Sequence, residues 1–170
     1  MSAAVTRTAY SAGTVIAAGC AISLMGFGPR SVMGFFQLPI ITENGWGRDV
    51  FGLAIAVQNL FWGIGQPFAG AVADRFGVMK VLVGGILLYA AGLVLMTLST
   101  SPTVFTITSG VLIGFGLAGC SFNLVLAAFG KLLPPERRPM ALGFGTAAGS
   151  FGQFLFSPLA VGLIDGAGWK

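Results

Sequence analysis

An all-α membrane protein that crosses the bilayer five times is the fold class this sequence predicts, on three observations. Of the 170 residues, 55% are hydrophobic and only 8% charged, with a mean hydropathy of +0.90, whereas soluble domains carry about 25% charged residues. The apolar residues gather into five runs, about 12–40, 50–73, 79–99, 103–130 and 139–164, and roughly 20 such residues cross the hydrocarbon core as a helix. The runs are also continuously apolar, which disfavours the short alternating strands of a membrane barrel.

The first run is far longer than a signal-peptide core and reads as a retained span. It holds one charge, Arg30, directly after Pro29. A guanidinium stays protonated at any working pH, and at a bilayer centre it costs about 2.5–3.5 kcal/mol on insertion scales. Gly19, Ser23, Gly26, Arg30, Gly34 and Gln37 recur every three or four residues and so share one helical face. Pro29 lacks an N–H and crowds the preceding turn, so it loosens the helix beside the charge. Two readings stay open: Arg30 lines a cavity, or it snorkels toward the outer headgroups.

The second run repeats the pattern with Gly52, Asn59, Gly63, Gln66 and Gly70. Little polarity interrupts the third beyond Tyr89, which suits a peripheral, lipid-facing helix. Ser109, Gly116, Cys120 and Asn123 mark the fourth, and Thr146, Ser150, Gln153 and Ser157 the fifth. Glycines at such spacing pack helices closely, whereas Arg30, Asn59, Asn123 and Gln153 need either interhelical partners or a water-filled cavity. Cys20 and Cys120 lie within apolar runs and read as free buried thiols.

Polar punctuation falls at 42–49, 74–77, 99–102 and 131–138, the last with the stop Pro134-Pro135. Counting basic residues sets Arg7, Arg75, Lys80, Lys131, Arg137 and Arg138 on one side against Arg48 and Lys170 on the other. The N-terminus is therefore expected in the cytoplasm. Trp46 and Trp169 then fall at the outer interface. The ending Gly-Ala-Gly-Trp-Lys reads as the approach to another span, so a longer protein is expected.

Between spans 2 and 3 stands Gly70-Ala-Val-Ala-Asp74-Arg75-Phe-Gly77-Val-Met-Lys80. Asp74 at a helix end can accept hydrogen bonds and pair with a cation, and Gly77 permits a tight turn. This element resembles the cytoplasmic signature of the major facilitator superfamily, although Val78 and Met79 stand where basic residues are commoner. The resemblance implies that residues 1–170 are an incomplete N-terminal transmembrane domain, the first half of a 12-helix transporter. It also implies that Gly70, Asp74, Arg75, Gly77 and Lys80 form a latch that breaks and reforms during alternating access.

Within the superfamily, Pro29-Arg30-Ser31 with Phe35-Phe36 is similar to the first helix of monocarboxylate porters and related bacterial organic-anion carriers. Arg137-Arg138-Pro139 and Ala148-Gly149-Ser150 echo their fifth-helix segment. That likeness implies that Arg30 meets a substrate carboxylate, with Asn59, Asn123 and Gln153 orienting the remainder. The expected protein is a secondary or facilitated transporter of a small organic anion in a bacterial inner membrane. Its expected partners are the lipid bilayer, the missing C-terminal half, and a proton or counter-anion for coupling. The alternatives are a multidrug or sugar-type facilitator on the same scaffold, or a truncated, non-transporting membrane protein.

Other classes fit poorly. Scattered single cations do not make a nucleic-acid surface, and the absence of histidine removes most metal sites, so neither metal nor cofactor is expected. The five carboxylates, Glu43, Asp49, Asp74, Glu136 and Asp165, lie at loops or span ends, and no nucleophile–base pair points to an enzyme.

Overall fold

The computed structural model describes residues 11–168. Arg7, Trp169 and Lys170 of the topology argument lie outside them. The described residues form five long helical segments without strands. Four are long and apolar enough to cross a membrane by composition; the second is more polar, interrupted by Gln58, Asn59 and Gln66.

Span 1 comprises α1 (Ala12–Ser31), a tight 3-10 stretch (Met33–Phe36) and α2 (Gln37–Asn44). Helix α1 starts at Ser11, whose hydroxyl accepts from the Thr14 N–H. It breaks just after Pro29-Arg30, where the Ser31 hydroxyl donates to the Gly28 carbonyl at 2.7 Å and competes with the backbone ladder. Helical structure then continues to Asn44, so the first polar punctuation shrinks to residues 45–47, with Gly45 at φ +67°.

Span 2 is α3 (Arg48–Phe76) and span 3 is α4 (Val78–Thr97). They meet at Gly77, whose φ of +98° is the conformation glycine adopts without strain. Span 4 is not one regular helix. It runs through α5 (Pro102–Phe105), a π-helical stretch (Thr106–Leu112), α6 (Ile113–Gly119) and, after a break at Cys120-Ser121, α7 (Phe122–Leu132). Span 5 is α8 (Arg138–Ala167), entered through a short turn at Pro135–Arg137.

The π-helical stretch has a chemical cause. The hydroxyls of Thr106, Thr108 and Ser109 donate to carbonyls four residues back, and such back-bonding loosens the α-helical ladder. From span 2, the Gln58 amide donates to the Ser109 carbonyl at 2.8 Å. Gln58 is only 2% exposed, so this bond satisfies two polar groups that water does not reach.

Span 4 stands at the centre, most of it buried, touched by the other four spans. Span 1 packs along span 5, while spans 2 and 3 pack on α6 and the π-helical stretch. The inner face of α4 is Leu82, Gly85, Tyr89, Gly92 and Met96. At Gly85 the backbones of spans 3 and 4 nearly touch, a Cβ there falling 2.4 Å from the Gly119 carbonyl carbon. Span 3 thus exposes Val83, Leu87 and Val94 on its outer side, as expected of a peripheral helix, and turns Tyr89 inward.

The glycine stripe of span 2 also departs from a packing seam. Gly52, Gly63 and Gly70 have no neighbour within 4 Å of an added Cβ, whereas the buried face is Phe51, Ala54, Gln58, Gly65 and Ala73. Two apolar clusters close the ends of the bundle. One gathers Ile40, Phe51, Met96, Phe105 and Ile113 near Trp46; the other gathers Ala73, Leu82, Val125, Phe129, Leu133 and Ala141. Arg75, Lys80, Lys131, Arg137 and Arg138 lie toward the second end, and Arg48 toward the first.

Candidate functional site

Arg30 occupies the last turn of α1, where the carbonyl end of the helix favours a cation. It sits about 27 Å from the start of a helical span about 50 Å long, just past the middle. Its Nη2 donates to Asn59 Oδ1 at 2.6 Å. The Asn59 amide nitrogen is committed to the Ile55 carbonyl at 2.9 Å, which presents the oxygen to the guanidinium. One helical turn on, the Trp62 ring lies under the cation, with Cζ 4.4 Å from the ring centroid, a cation–π distance. Asn59 and Trp62 are three residues apart on α3 and so share a face.

The guanidinium has no carboxylate partner among the described residues. Its buried Nε has no hydrogen-bond partner, nor do the buried Ser23 Oγ and Trp62 Nε1. Ser23, Arg30 and Trp62 line one small cavity together with Cys120, Ser121 and Phe122 at the break in span 4. Tyr89 Oη is a further buried, unpartnered polar atom, contributed by span 3.

Two more polar pairs continue down α3. Asn123 Nδ2 donates to Gln66 Oε1 at 2.8 Å, about 10 Å along the helix from Asn59. Asp74 pairs with Lys131 at 2.7 Å, both side chains largely exposed at 75% and 54%. A wider cavity of about 380 Å³ lies beside these pairs, lined by Gln66, Gly70, Asp74, Asn123 and Lys131 among others.

The structure therefore brings Arg30 and Asn59 into direct contact and sets Asn123 two turns away along α3, against Gln66. Gln153 joins none of these pairs: it is exposed on α8, where its backbone carbonyl accepts from the Ser157 hydroxyl. In the loop, Asp74 finds its cation in Lys131, 57 residues on, rather than in Arg75 or Lys80. The Arg75 guanidinium lies 5.3 Å over the Phe76 ring, and Lys80 is exposed at the start of α4. Sequence reasoning passed over Trp62 and counted Lys131 only among the cations that set the orientation, not as the partner of Asp74. The signal for Trp62 was its place one turn beyond Asn59.

Five helical segments, four of them long and apolar enough to cross a membrane, define an integral membrane protein. The chain belongs to the Major Facilitator Superfamily, whose family model matches residues 7–170. It is 29% identical over 141 residues to an uncharacterized MFS-type transporter, YcxA, of Bacillus subtilis (strain 168), covering 83% of this chain and 34% of that protein. It is 36% identical over 115 residues to a protein named multidrug resistance protein MdtH in Yersinia pestis (strain Pestoides F), covering 63% of this chain and 28% of that protein. The same identity and coverage hold for the MdtH of Yersinia pseudotuberculosis serotype O:3 (strain YPIII). The chain thus spans about a third of the length of these relatives.

Proposed function

We propose that this chain supplies the first spans of a secondary or facilitated transporter for a small organic anion, a monocarboxylate, working by alternating access. The observation that carries the reading is Arg30: a permanent mid-span cation, oriented by Asn59 and Trp62, without a carboxylate partner among the described residues. In low dielectric such a cation attracts an anion strongly, and its fork geometry matches a carboxylate. Asn59 positions the guanidinium in this reading. Asn123 and Gln153 contact the substrate farther along the path, and Asp74 with Lys131 closes the cytoplasmic end. The basic residues Arg75, Lys80, Lys131, Arg137 and Arg138 at that end support a cytoplasmic side for it and for the N-terminus, in a bacterial inner membrane.

Uptake of labelled lactate by cells expressing the full-length protein tests this. Arg30→Ala should abolish uptake, and Arg30→Lys should keep a fraction, because the charge survives without the fork. Undiminished uptake in Arg30→Ala would remove Arg30 from the substrate site. The relatives named multidrug resistance protein support a second reading, export of drugs on the same scaffold. Lactate-insensitive transport blocked by cationic or neutral drugs would replace the monocarboxylate by that reading.

A further inference from the structure

We propose that the small cavity beneath Arg30 is a binding site for a single halide ion, chloride in the cell, distinct in size from any organic substrate. The cavity holds about 20 Å³, room for one water-sized occupant. Three buried polar atoms of its lining residues lack a partner: Arg30 Nε, Trp62 Nε1 and Ser23 Oγ. The first two can only donate, and the third is a hydroxyl that can turn to donate. Ser23 is 2% exposed, so bulk water does not serve it.

Two further features give the site its sign. The break in span 4 sets the N-terminus of α7 against the cavity, for Ser121 and Phe122 both line it. The Ser121 hydroxyl caps no backbone N–H of that helix. Unpaired N–H groups at a helix start favour an anion. The positive charge of Arg30, with no carboxylate opposite it among the described residues, favours one more strongly.

Water fits this donor set less well. A water accepts about two hydrogen bonds and must then place two protons of its own, whereas a monatomic anion accepts from every donor and has none to place. A carboxylate is too wide to enter a cavity of this volume. Chloride here holds the guanidinium in place, and an organic anion arriving from the open side competes for the same charge.

The full-length protein, purified in detergent, tests this without any transport assay. At constant ionic strength, replacing gluconate by bromide or chloride should raise its melting temperature in a saturable way. Trp62→Phe keeps the ring beneath Arg30 and deletes only the N–H. It should weaken the halide titration at least about tenfold, the loss of one hydrogen bond to a charge. Ser23→Ala should act in the same direction, while Trp46→Phe, remote from the cavity, should leave the titration unchanged. Equal melting in halide and gluconate, or a full halide response in both Trp62→Phe and Ser23→Ala, would overturn the proposal. Either result leaves the lactate experiment standing, and failure of lactate uptake leaves the halide titration standing.

Discussion

Two adjacent glycines on α4 should respond oppositely to the same substitution. At Gly84 an added methyl meets nothing within 4 Å, whereas at Gly85 it falls 2.4 Å from the Gly119 carbonyl carbon and 2.6 Å from the Cys120 nitrogen. Those neighbours are backbone, so no side chain can swing away. Spans 3 and 4 must part by about 1 Å to reach ordinary contact, and the separation propagates along a seam that also holds Gly116 against the Tyr89 backbone. Overpacking of this kind costs about 1–3 kcal/mol. Alanine is also the better helix former by up to about 1 kcal/mol, a gain available at both positions. Gly84→Ala is therefore expected to be neutral or stabilising, and Gly85→Ala destabilising by about 1–2 kcal/mol net. The assay is thermal unfolding of the full-length protein in lipid-containing micelles, both variants melted side by side. Equal melting temperatures for the two would refute the close approach of spans 3 and 4.

Gln58→Met keeps the side-chain volume and removes the donor to the Ser109 carbonyl, so the π-helical stretch loses its bond from span 2. Buried interhelical bonds in membranes are worth about 0.6–1.7 kcal/mol, and a loss in that range by the same unfolding assay is the expected outcome; wild-type melting would show the carbonyl satisfied elsewhere. The Asp74–Lys131 pair is largely exposed, so Lys131→Ala should change stability by less than about 1 kcal/mol. Transport should respond more strongly: Asp74→Lys impairs it, and the exchange Asp74→Lys with Lys131→Asp restores it. An exchange variant as impaired as the single one would show that the pair does not act through its charges.

The fold class was legible because bilayer crossing imposes a length and a composition that any apolar run must meet. The five runs therefore announce the five helical segments even where the second is the most polar. Arg30 and Asn59 were legible as candidates for the same reason: charge and amide are costly in an apolar run and stand out from it. Their contact was not. It depends on how spans 1 and 2 are placed around span 4, and on Ile55 holding the amide so that its oxygen faces the guanidinium.

Irregular backbone was the least legible feature. The hydroxyls that loosen span 4 and the break at Cys120-Ser121 sit in a run whose hydropathy is uninterrupted, and hydropathy does not record hydrogen-bond pattern. The glycine stripes divided for a similar reason. Helical spacing puts residues on one face but does not say which face meets a neighbour, so Gly116 is wedged against the Tyr89 backbone while Gly63 stands open. Composition and periodicity determined by themselves that this is a helical membrane protein with a mid-span cation. Only the tertiary structure decided that Trp62 lies under that cation, that Lys131 pairs with Asp74, and that Gln153 stands apart. Each of those is a contact between residues distant in the chain, set by packing around span 4 and not by local spacing.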